Sequence, residues 1–313
     1  MKPLLTTLAA AAFLGSTAFA GPSATAGYDS KDSKKAVIEP TPADSRFLFR
    51  LTSSYVFESD FKRGDDAKGD ALHNEVELGY RIPVNINWQP ANHTGQWYFR
   101  LGAQYSRFDF DNSGGLPLPN TLQSAAGVVA LEFITEGRIG FLLQTKPGYY
   151  FEQNISNSAF DAPTTIGFAI PFSENFYGVV GATASILRAY PVVPSLGFLW
   201  KPTPQWSIYA VAPEPRITYQ PTDHFAVWAG GELVYNSFRT DSTHNRSGTL
   251  DHAVVDYSEY RAGAGLSWTV ANCALEVGGG YAFQRKFDFY RAENGYETDK
   301  GAPYARVEFR AAF

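Results

Sequence analysis

Apolar and polar side chains alternate along most of the chain after its first 45 residues. In the first such segment Phe47, Phe49 and Leu51 occupy odd positions, and Arg50 and Thr52 occupy even ones. A period of two places the two sets on opposite faces of an extended strand. Similar segments recur at intervals of roughly 15–25 residues and are separated by turn residues. The pattern therefore predicts an all-β protein.

Thirteen segments show this alternation clearly. They are residues 46–59, 73–86, 96–110, 123–136, 138–152, 163–172, 176–188, 192–200, 205–212, 225–239, 254–270, 274–290 and 302–313. A short fourteenth strand is predicted at 216–219, after the Ala-Pro-Glu-Pro run at 212–215. If a pair of short segments near 190–219 does not cross, the number falls to twelve. A barrel with both chain ends on one side needs an even number, and fourteen is the preferred one.

The predicted connections fall into two classes by length. Short ones lie at 136–137, 173–175, 201–205, 220–224 and 271–272, and longer polar ones lie at 60–72, 111–121, 153–162, 240–253 and 291–301. The two classes alternate for most of the chain, and the segment 87–95 is an exception, a longer turn on the short-turn side. Tight turns at one end and longer loops at the other are typical of transmembrane β-barrels.

The final strand has a distinctive apolar face. Ala305, Val307, Phe309 and Phe313 lie on it, opposite a face rich in charge. A strand of this kind resembles the closing strand of Gram-negative outer-membrane β-barrel proteins. The resemblance implies a single transmembrane antiparallel up-and-down β-barrel of 12–14 strands over residues 46–313. It also implies that Phe309 and Phe313 belong to the signal that the barrel-assembly machinery reads.

A second resemblance is confined to one short segment. Residues 213–219, Pro-Glu-Pro-Arg-Ile-Thr-Tyr followed by a short turn, are similar to a poorly characterised barrel family of unknown function. That resemblance implies no known active site.

The N-terminal region is typical of an exported protein. A short basic start precedes an apolar stretch at 4–19, and an Ala-x-Ala cleavage pattern stands at 18–20. We predict a signal peptide at 1–20, because the apolar stretch is too short to remain as a membrane anchor. Residues 21–45 carry few bulky apolar side chains and are predicted to be a disordered periplasmic lead. Together these features predict the outer membrane of a Gram-negative bacterium.

Composition limits the fold class, the kinds of site and the partners that the chain can have. Aromatic residues make up 15% of the chain and there are 28 glycines, a composition that favours strands. The single cysteine, Cys273, excludes an intramolecular disulfide framework and a Cys-rich metal site. A formal net charge of −5 argues against a nucleic-acid partner. No run of eighteen apolar residues follows the signal, so no helical membrane span is predicted.

Charged residues on the polar faces are expected to line the barrel lumen. A basic side chain facing lipid at the midplane would cost about 2–4 kcal/mol, so these residues should point inward. They are Arg46, Arg50, Glu75, Glu77, Arg81, Arg100, Glu132, Lys146, Glu232, Glu259, Arg261, Glu276, Arg306, Glu308 and Arg310. They either form a charged wall that selects solutes or an ion-pair network that fills a narrow lumen. Their signs nearly cancel, so no preference for cations or anions follows.

The six tryptophans lie beside the predicted short-turn end. They are Trp88, Trp97, Trp200, Trp206, Trp228 and Trp268. Tryptophan prefers the membrane–water interface, where its ring is half buried and its N–H stays hydrated. We interpret the six as a periplasmic girdle; the alternative is that they are ordinary buried tryptophans.

The sequence gives only a weak signal for catalytic residues. The long connection at 240–253 holds His244 and His252 with nearby aspartates, a pairing similar to that of outer-membrane proteases, and Ser242 and Ser247 suit a lipase-type arrangement. No motif fixes the spacing of these residues, so solvated loop side chains are the favoured interpretation. The sequence predicts no catalytic residue, no metal site and no cofactor.

The favoured function is a pore or transporter for small solutes. The main alternative is a closed structural barrel that contacts other surfaces through its external loops, and an outer-membrane hydrolase is the third possibility. Expected partners are outer-membrane lipid and lipopolysaccharide, the barrel-assembly machinery and small solutes.

Overall fold

The computed structural model describes residues 45–63, 67–90, 95–135, 138–242 and 250–313. The predicted signal peptide at 1–20 and nearly all of the predicted lead at 21–45 lie outside these residues. Within them the chain forms one closed antiparallel β-barrel. No helix in this part of the chain is long and apolar enough to cross a membrane.

Fourteen strands build the wall in the part of the chain that the structure describes. They are β1 (Phe47–Asp60), β2 (Lys68–Val84), β3 (Gln96–Asp109), β4 (Thr121–Thr135), β5 (Arg138–Thr145 with Gly148–Phe151), β6 (Phe160–Asp161 with Thr164–Ser173), β7 (Phe176–Ala184), β8 (Val192–Thr203), β9 (Trp206–Val211), β10 (Arg216–Thr222), β11 (Phe225–Arg239), β12 (Val254–Val270), β13 (Cys273–Phe289) and β14 (Asn294–Glu297 with Ala302–Ala312). The preferred strand number is confirmed, including the short strand after the Ala-Pro-Glu-Pro run.

Each strand pairs with its neighbours in sequence, and β1 pairs with β14 to close the ring. The closing ladder runs from Leu48 opposite Ala312 to Val56 opposite Tyr304. The backbone oxygen of Phe313 accepts hydrogen bonds from the N–H groups of Arg46, just before β1, and of Phe47, its first residue. The up-and-down topology predicted from the alternation is therefore confirmed.

Side chains alternate between lipid and lumen as the sequence predicts. On β3, Leu101 is 45% exposed on the outer face, whereas the neighbouring Arg100 is 5% exposed inside the barrel. Phe49 and Phe309 pack together across the closing seam on the outer face, with ring centroids 6.0 Å apart. An outward apolar face with an inward charged one is the arrangement of an outer-membrane barrel.

The two ends of the barrel differ in their connections. At one end the connections at 136–137, 174–175, 204–205, 223–224 and 271–272 are two residues long, and the segment 85–95 is the longer exception. At the other end they run from four residues at 212–215 to fourteen at 240–253. We refer to these as the periplasmic and external ends.

A β-bulge on β13 changes which side chains face inward near the external end. The ladder with β12 skips Phe283. An extra residue shifts every later side chain to the opposite face. Arg285 and Phe287 consequently point into the lumen, and Gln284 moves to the outer face, where it donates to Glu297. Uninterrupted alternation from Glu276 would have placed Gln284 inside, and the bulge reverses this.

A second irregularity on β1 has the same effect. The register with β2 shifts between Val56 and Ser59. Ser59 and Phe61 are thereby buried inside the barrel, and the Arg285 Nη2 donates to the Ser59 hydroxyl at 2.6 Å. Both shifts change which side chains face the lumen in the external parts of β1 and β13.

The segment 185–191 leaves the wall earlier than predicted. Alternation predicted a strand over 176–188, but β7 ends at Ala184. The buried Asp161 carboxylate accepts hydrogen bonds from the Ser185 hydroxyl at 2.5 Å and from the Ile186 N–H at 3.0 Å. These bonds satisfy polar groups that would otherwise continue the ladder. The strand prediction is therefore wrong beyond Ala184.

We expect Leu101→Arg to lower the free energy of unfolding by about 2–4 kcal/mol, because it places a guanidinium in lipid. Equilibrium urea unfolding in phosphatidylcholine vesicles measures the change. Leu101→Met is the matched control, since it keeps an apolar side chain at the same place. Equal stability of the two variants would contradict the outward, lipid-facing position of Leu101.

Candidate functional site: the charged lumen and its aromatic cap

The first cluster of lumen charges centres on Glu132 of β4. Its carboxylate accepts from Arg81 Nε at 2.7 Å and from Arg100 Nε at 2.8 Å. Arg100 also donates through Nη1 to Glu77 at 2.7 Å. The side chains of Glu132 and Arg81 are each only 1% exposed. These two side chains therefore have almost no contact with solvent in the lumen.

Glu77 extends this cluster toward β1 and β5. Its second oxygen lies 3.3 Å from Arg50 Nη2 and 3.2 Å from Lys146 Nζ. Arg50 also reaches Glu75 at 3.0 Å. One carboxylate thus compensates cations from three different strands, which fixes how those strands stand relative to one another. We call these residues, with Arg81, Arg100 and Glu132, the Glu132 cluster.

A second cluster spans the closing seam and the short strand β10. Arg216 makes a bidentate pair with Glu276, at 2.8 and 3.0 Å. Arg310 lies 3.3 Å from the same carboxylate and 2.9 Å from Glu308. Arg306 then connects Glu308, at 2.7 Å, with the carboxylate of Glu232 on β11, at 3.3 Å. We call this the Glu276 cluster.

A buried pair on β12 lies nearer the external end. Arg261 donates to Glu259 through Nε at 2.7 Å and through Nη2 at 3.0 Å. The Tyr257 hydroxyl donates to the same carboxylate at 2.8 Å, and Arg261 Nη1 donates to Ser54 at 3.1 Å. Every polar group of this pair that faces the lumen therefore has a partner nearby.

Above the charges the lumen is closed by an aromatic cap. Its members are Phe108, Phe110, Phe238, Tyr257, Phe287 and Phe289. Ring pairs in it have centroids between 4.9 Å, for Phe110 and Phe287, and 6.1 Å, for Phe108 and Phe238, within the range of favourable aromatic pairs. Phe287 and Phe289 face inward only because of the bulge on β13. The cap is therefore a packed apolar layer across the external half of the barrel.

A small cavity remains between the clusters and the cap. It measures about 50 Å³, enough for a few water molecules. Its lining includes Arg50, Thr52, Ser54, His73, Glu75, Gln104, Lys146, Pro213, Glu214, Glu232, Leu233, Val234, Asn236, Arg306 and Glu308. His73 stacks on Phe108 of the cap at 3.9 Å and hydrogen bonds with Ser106 at 3.0 Å. We call this space the central cavity.

The structure places nearly all of the predicted lumen charges inside the barrel, buried or mostly buried. Arg46 departs from the prediction: it precedes β1 and is exposed at the periplasmic end, because the wall has not yet begun there. Arg216, Glu214 and Arg285 line the lumen but were not predicted. Arg216 and Glu214 flank the irregular hairpin between β9 and β10, and Arg285 follows the bulge.

The tryptophans do not share one position. Trp228 lies inside the barrel, 5% exposed, with the Arg216 guanidinium 4.2 Å above its ring. It faces in because the lumen beside it is lined by glycines: a Cβ on Gly265 or Gly278 would meet the indole. Trp228 is thus no part of a girdle. Trp88, Trp97, Trp200, Trp206 and Trp268 belong to the outer face, where Trp97 is covered by Trp88 at a ring-centroid distance of 5.4 Å.

The candidate catalytic residues at 240–253 are only partly described. His244 and Ser247 lie outside the described residues. The Asp241 carboxylate accepts from the backbone N–H groups of Gln153 and Asn154, at 3.1 and 2.9 Å, and so ties two external loops together. Among the residues described, no group of three His, Cys, Asp or Glu side chains is placed to hold a metal ion.

Comparison with known proteins gives one family match. The model of DUF6268, a domain of unknown function, matches residues 43–305. No curated protein matches the chain.

Several solved outer-membrane barrels are similar in architecture. The COG4313 outer membrane channel from Pseudomonas putida F1 is 9% identical with a TM-score of 0.46, covering 90% of this chain and 100% of that one. The β domain of the Bordetella autotransporter BrkA is 11% identical, TM-score 0.34, with 86% and 100% covered. A Pseudomonas aeruginosa FadL homologue is 10% identical, TM-score 0.30, with 89% and 93% covered.

We expect Glu132→Gln to lower the free energy of unfolding by about 3–5 kcal/mol, because it leaves two buried guanidiniums without a carboxylate. Urea unfolding in lipid vesicles measures the loss. Glu58→Gln is the control, since Glu58 forms an exposed pair with Lys68 and such pairs contribute about 0–1 kcal/mol. Equal losses of stability in Glu132→Gln and Glu58→Gln would contradict the buried ion-pair network of the Glu132 cluster.

Proposed function

The chain belongs to the DUF6268 family, and we propose that it is a transport barrel that passes small solutes across the outer membrane. The central cavity carries the proposal. A lumen packed only for stability would be filled here too, whereas this one keeps a polar space between the ion-pair clusters and the aromatic cap. Carboxylates, guanidiniums, hydroxyls and amides all line it, so it suits a small polar group of any net charge.

We infer that packed side chains obstruct the lumen. The Glu132 cluster narrows it on the periplasmic side, and the aromatic cap covers it on the external side. Passage therefore requires side chains to move, and the protein would act as a gated transporter rather than a permanently open pore. The mixed signs of the lining charges support selection by size and polarity, without a preference for cations or anions.

The proposed location and assembly follow from the termini. Cleavage of a signal peptide at 1–20 would release the chain to the periplasm of a Gram-negative bacterium. Phe309 and Phe313 would then be read by the barrel-assembly machinery, and the outer face would contact outer-membrane lipid and lipopolysaccharide. Phe313 is 59% exposed at the closing seam, which leaves its ring accessible.

A closed barrel that acts through its external loops is the second candidate function. The observation that favours it is the cap, since Phe108, Phe287 and Phe289 have no accessible surface. A hydrolase is not proposed. In the described residues the Asp241 carboxylate binds loop backbone, and we infer for it a structural role instead of a catalytic one.

Conductance in planar bilayers tests transport against the closed barrel. We expect the natural sequence to give rare, brief openings, and Phe287→Ala to increase the mean conductance several-fold because it removes a ring from the cap. Phe283→Ala on the same strand is the control, since its ring lies on the outer face and is 58% exposed.

Liposome swelling with arabinose provides the matching solute measurement. If neither the natural sequence nor Phe287→Ala gives conductance or liposome swelling, the closed barrel is favoured. A similar increase for Phe283→Ala would mean that general loosening, and not an opened cap, causes the flux.

A further inference from the structure

The ion-paired charges around the central cavity divide into two groups by strand. The Glu132 cluster lies on β1–β4 and on Lys146, between the two parts of β5. The other charges lie on β10–β14 and on the turn at 212–215 that precedes β10. The two groups meet at the seam between β14 and β1. The cavity therefore has one group on each side.

The two groups differ in their balance of charge. In the described residues of the β1–β5 side, the cations outnumber the carboxylates by one. That group consists of Arg50, Arg81, Arg100 and Lys146 with Glu75, Glu77 and Glu132. On the β10–β14 side the carboxylates outnumber the cations by one. That group consists of Arg216, Arg261, Arg306 and Arg310 with Glu214, Glu232, Glu259, Glu276 and Glu308. The two groups cancel in sum, so the imbalance exists only across the lumen.

Arg285 is a further buried cation, in the layer of the aromatic cap. Its Nη2 donates to the Ser59 hydroxyl at 2.6 Å and to the Gly69 carbonyl. Both acceptors belong to β1 and β2, so this guanidinium adds positive charge to the β1–β5 side. It is not part of the cavity lining.

The turn at 212–215 brings the carboxylate of Glu214 into the cavity. Pro213 and Pro215 have no N–H to donate, so they cannot extend the β9–β10 ladder. Their carbonyls instead accept from the N–H groups of Leu233 and Gly231 of β11, each at 2.9 Å. The backbone therefore fixes the turn against β11, and its conformation does not depend on the Glu214 side chain.

Glu214 is the least compensated carboxylate of the cavity lining among the described residues. Its ion pair with Arg306 is 4.0 Å long. The same guanidinium lies closer to Glu232, at 3.3 Å, and to Glu308, at 2.7 Å. The side chain of Glu214 is 24% exposed, whereas that of Glu132 is 1% exposed. The Glu214 carboxylate can therefore accept from a cationic group of a solute.

Lys146 provides the opposite charge on the other side of the cavity. Its Nζ lies 3.2 Å from Glu77, and the same carboxylate also binds Arg50 at 3.3 Å and Arg100 at 2.7 Å. Three cations thus share Glu77. An ammonium has three N–H donors, so Lys146 can bind an anionic group of a solute in addition to Glu77.

The volume of the cavity limits the size of the solute. The cavity holds a few water molecules, and three waters occupy about 90 Å³ of liquid. A molecule with one carbon between an ammonium and a carboxylate fits into the space that these waters leave. The solvent-exposed edge of Glu214 shows that the cavity is partly open, so a solute can enter it.

We propose that the central cavity binds small zwitterions, with the ammonium group toward Glu214 and the carboxylate toward Lys146. A lone cation or anion is attracted by one side of the cavity and repelled by the other, whereas a zwitterion in this orientation is attracted by both. The inference rests on the proposed transport function for its role in the cell, because it names the solute of the same cavity. The binding itself is measurable without transport.

Glycine and its uncharged isomer glycolamide test the zwitterion site. The protein is reconstituted in phosphatidylcholine nanodiscs, and each ligand is titrated by ligand-observed NMR against empty nanodiscs as background. We expect the Kd of glycine to be about tenfold lower than that of glycolamide, the scale of one hydrogen bond to a charged group. Acetate and methylammonium each carry one of the two charges and should bind more weakly than glycine.

Two variants should reverse the preference for a single charge in opposite directions. Glu214→Gln should weaken glycine binding about tenfold, leave glycolamide binding unchanged and favour acetate over methylammonium, because the cavity gains net positive charge. Lys146→Gln should also weaken glycine binding but favour methylammonium over acetate. Glu58→Gln makes the same chemical change in an exposed pair and should leave all four affinities unchanged.

Heat-modifiable gel mobility shows which variants are folded, and either folded variant is sufficient for the test. No detectable glycine binding, equal affinities for glycine and glycolamide, or unchanged glycine binding in the folded variants would overturn the zwitterion site. Liposome swelling separates this result from the proposed function. Glycine that binds without causing swelling would reject transport and retain the site. Equal swelling in glycine and glycolamide together with equal affinities would retain transport and reject the site.

Discussion

The compensation of charge inside a closed ring is the constraint on which this structure depends. An ionised side chain on a strand in lipid can only face the lumen, and a filled lumen requires a counter-charge within reach. Glu77 meets cations from β1, β3 and β5, and Glu276 meets cations from β10 and β14. A shift of one residue in any of these ladders would put the charges into lipid. The network therefore specifies register and closure, whatever its net contribution to stability.

The external half of the barrel relies on a different interaction. There the lumen is filled by packed aromatic rings, and it is the bulge at Phe283 that turns Phe287 and Phe289 inward. An ion-pair layer and an apolar layer do not interdigitate well, because a charge at their boundary would lose its hydration without gaining a partner. The central cavity lies at that boundary. Thr52, Ser54 and His73 line it there, with short polar side chains between the two layers.

Alternation was sufficient to predict the strands, because the solvent differs so sharply between the two faces of each one. It predicted thirteen strands, the two classes of connection and the inward direction of most charges, and the fourteenth strand followed from the even number that such a barrel needs. Alternation could not reveal a bulge. One inserted residue leaves the local alternation unchanged and only exchanges the inward and outward positions beyond it. Arg285 was missing from the predicted lumen charges for that reason. Trp228 was misplaced because its position depends on Gly265 and Gly278 on neighbouring strands, which a single-strand pattern does not contain.

The hairpin of the short strands β9 and β10 is where the regular pairing of the wall stops earliest. Closed barrels are stable in lipid because every backbone group is paired around the ring. Pro213 and Pro215 interrupt that pairing, and the chain compensates with two proline carbonyls and with the carboxylates of Asp161 and Asp256. A continuous hairpin would achieve the same closure with ordinary ladder bonds. Side-chain bonds therefore replace ladder bonds at the external ends of these short strands, while the remaining ladders close the ring.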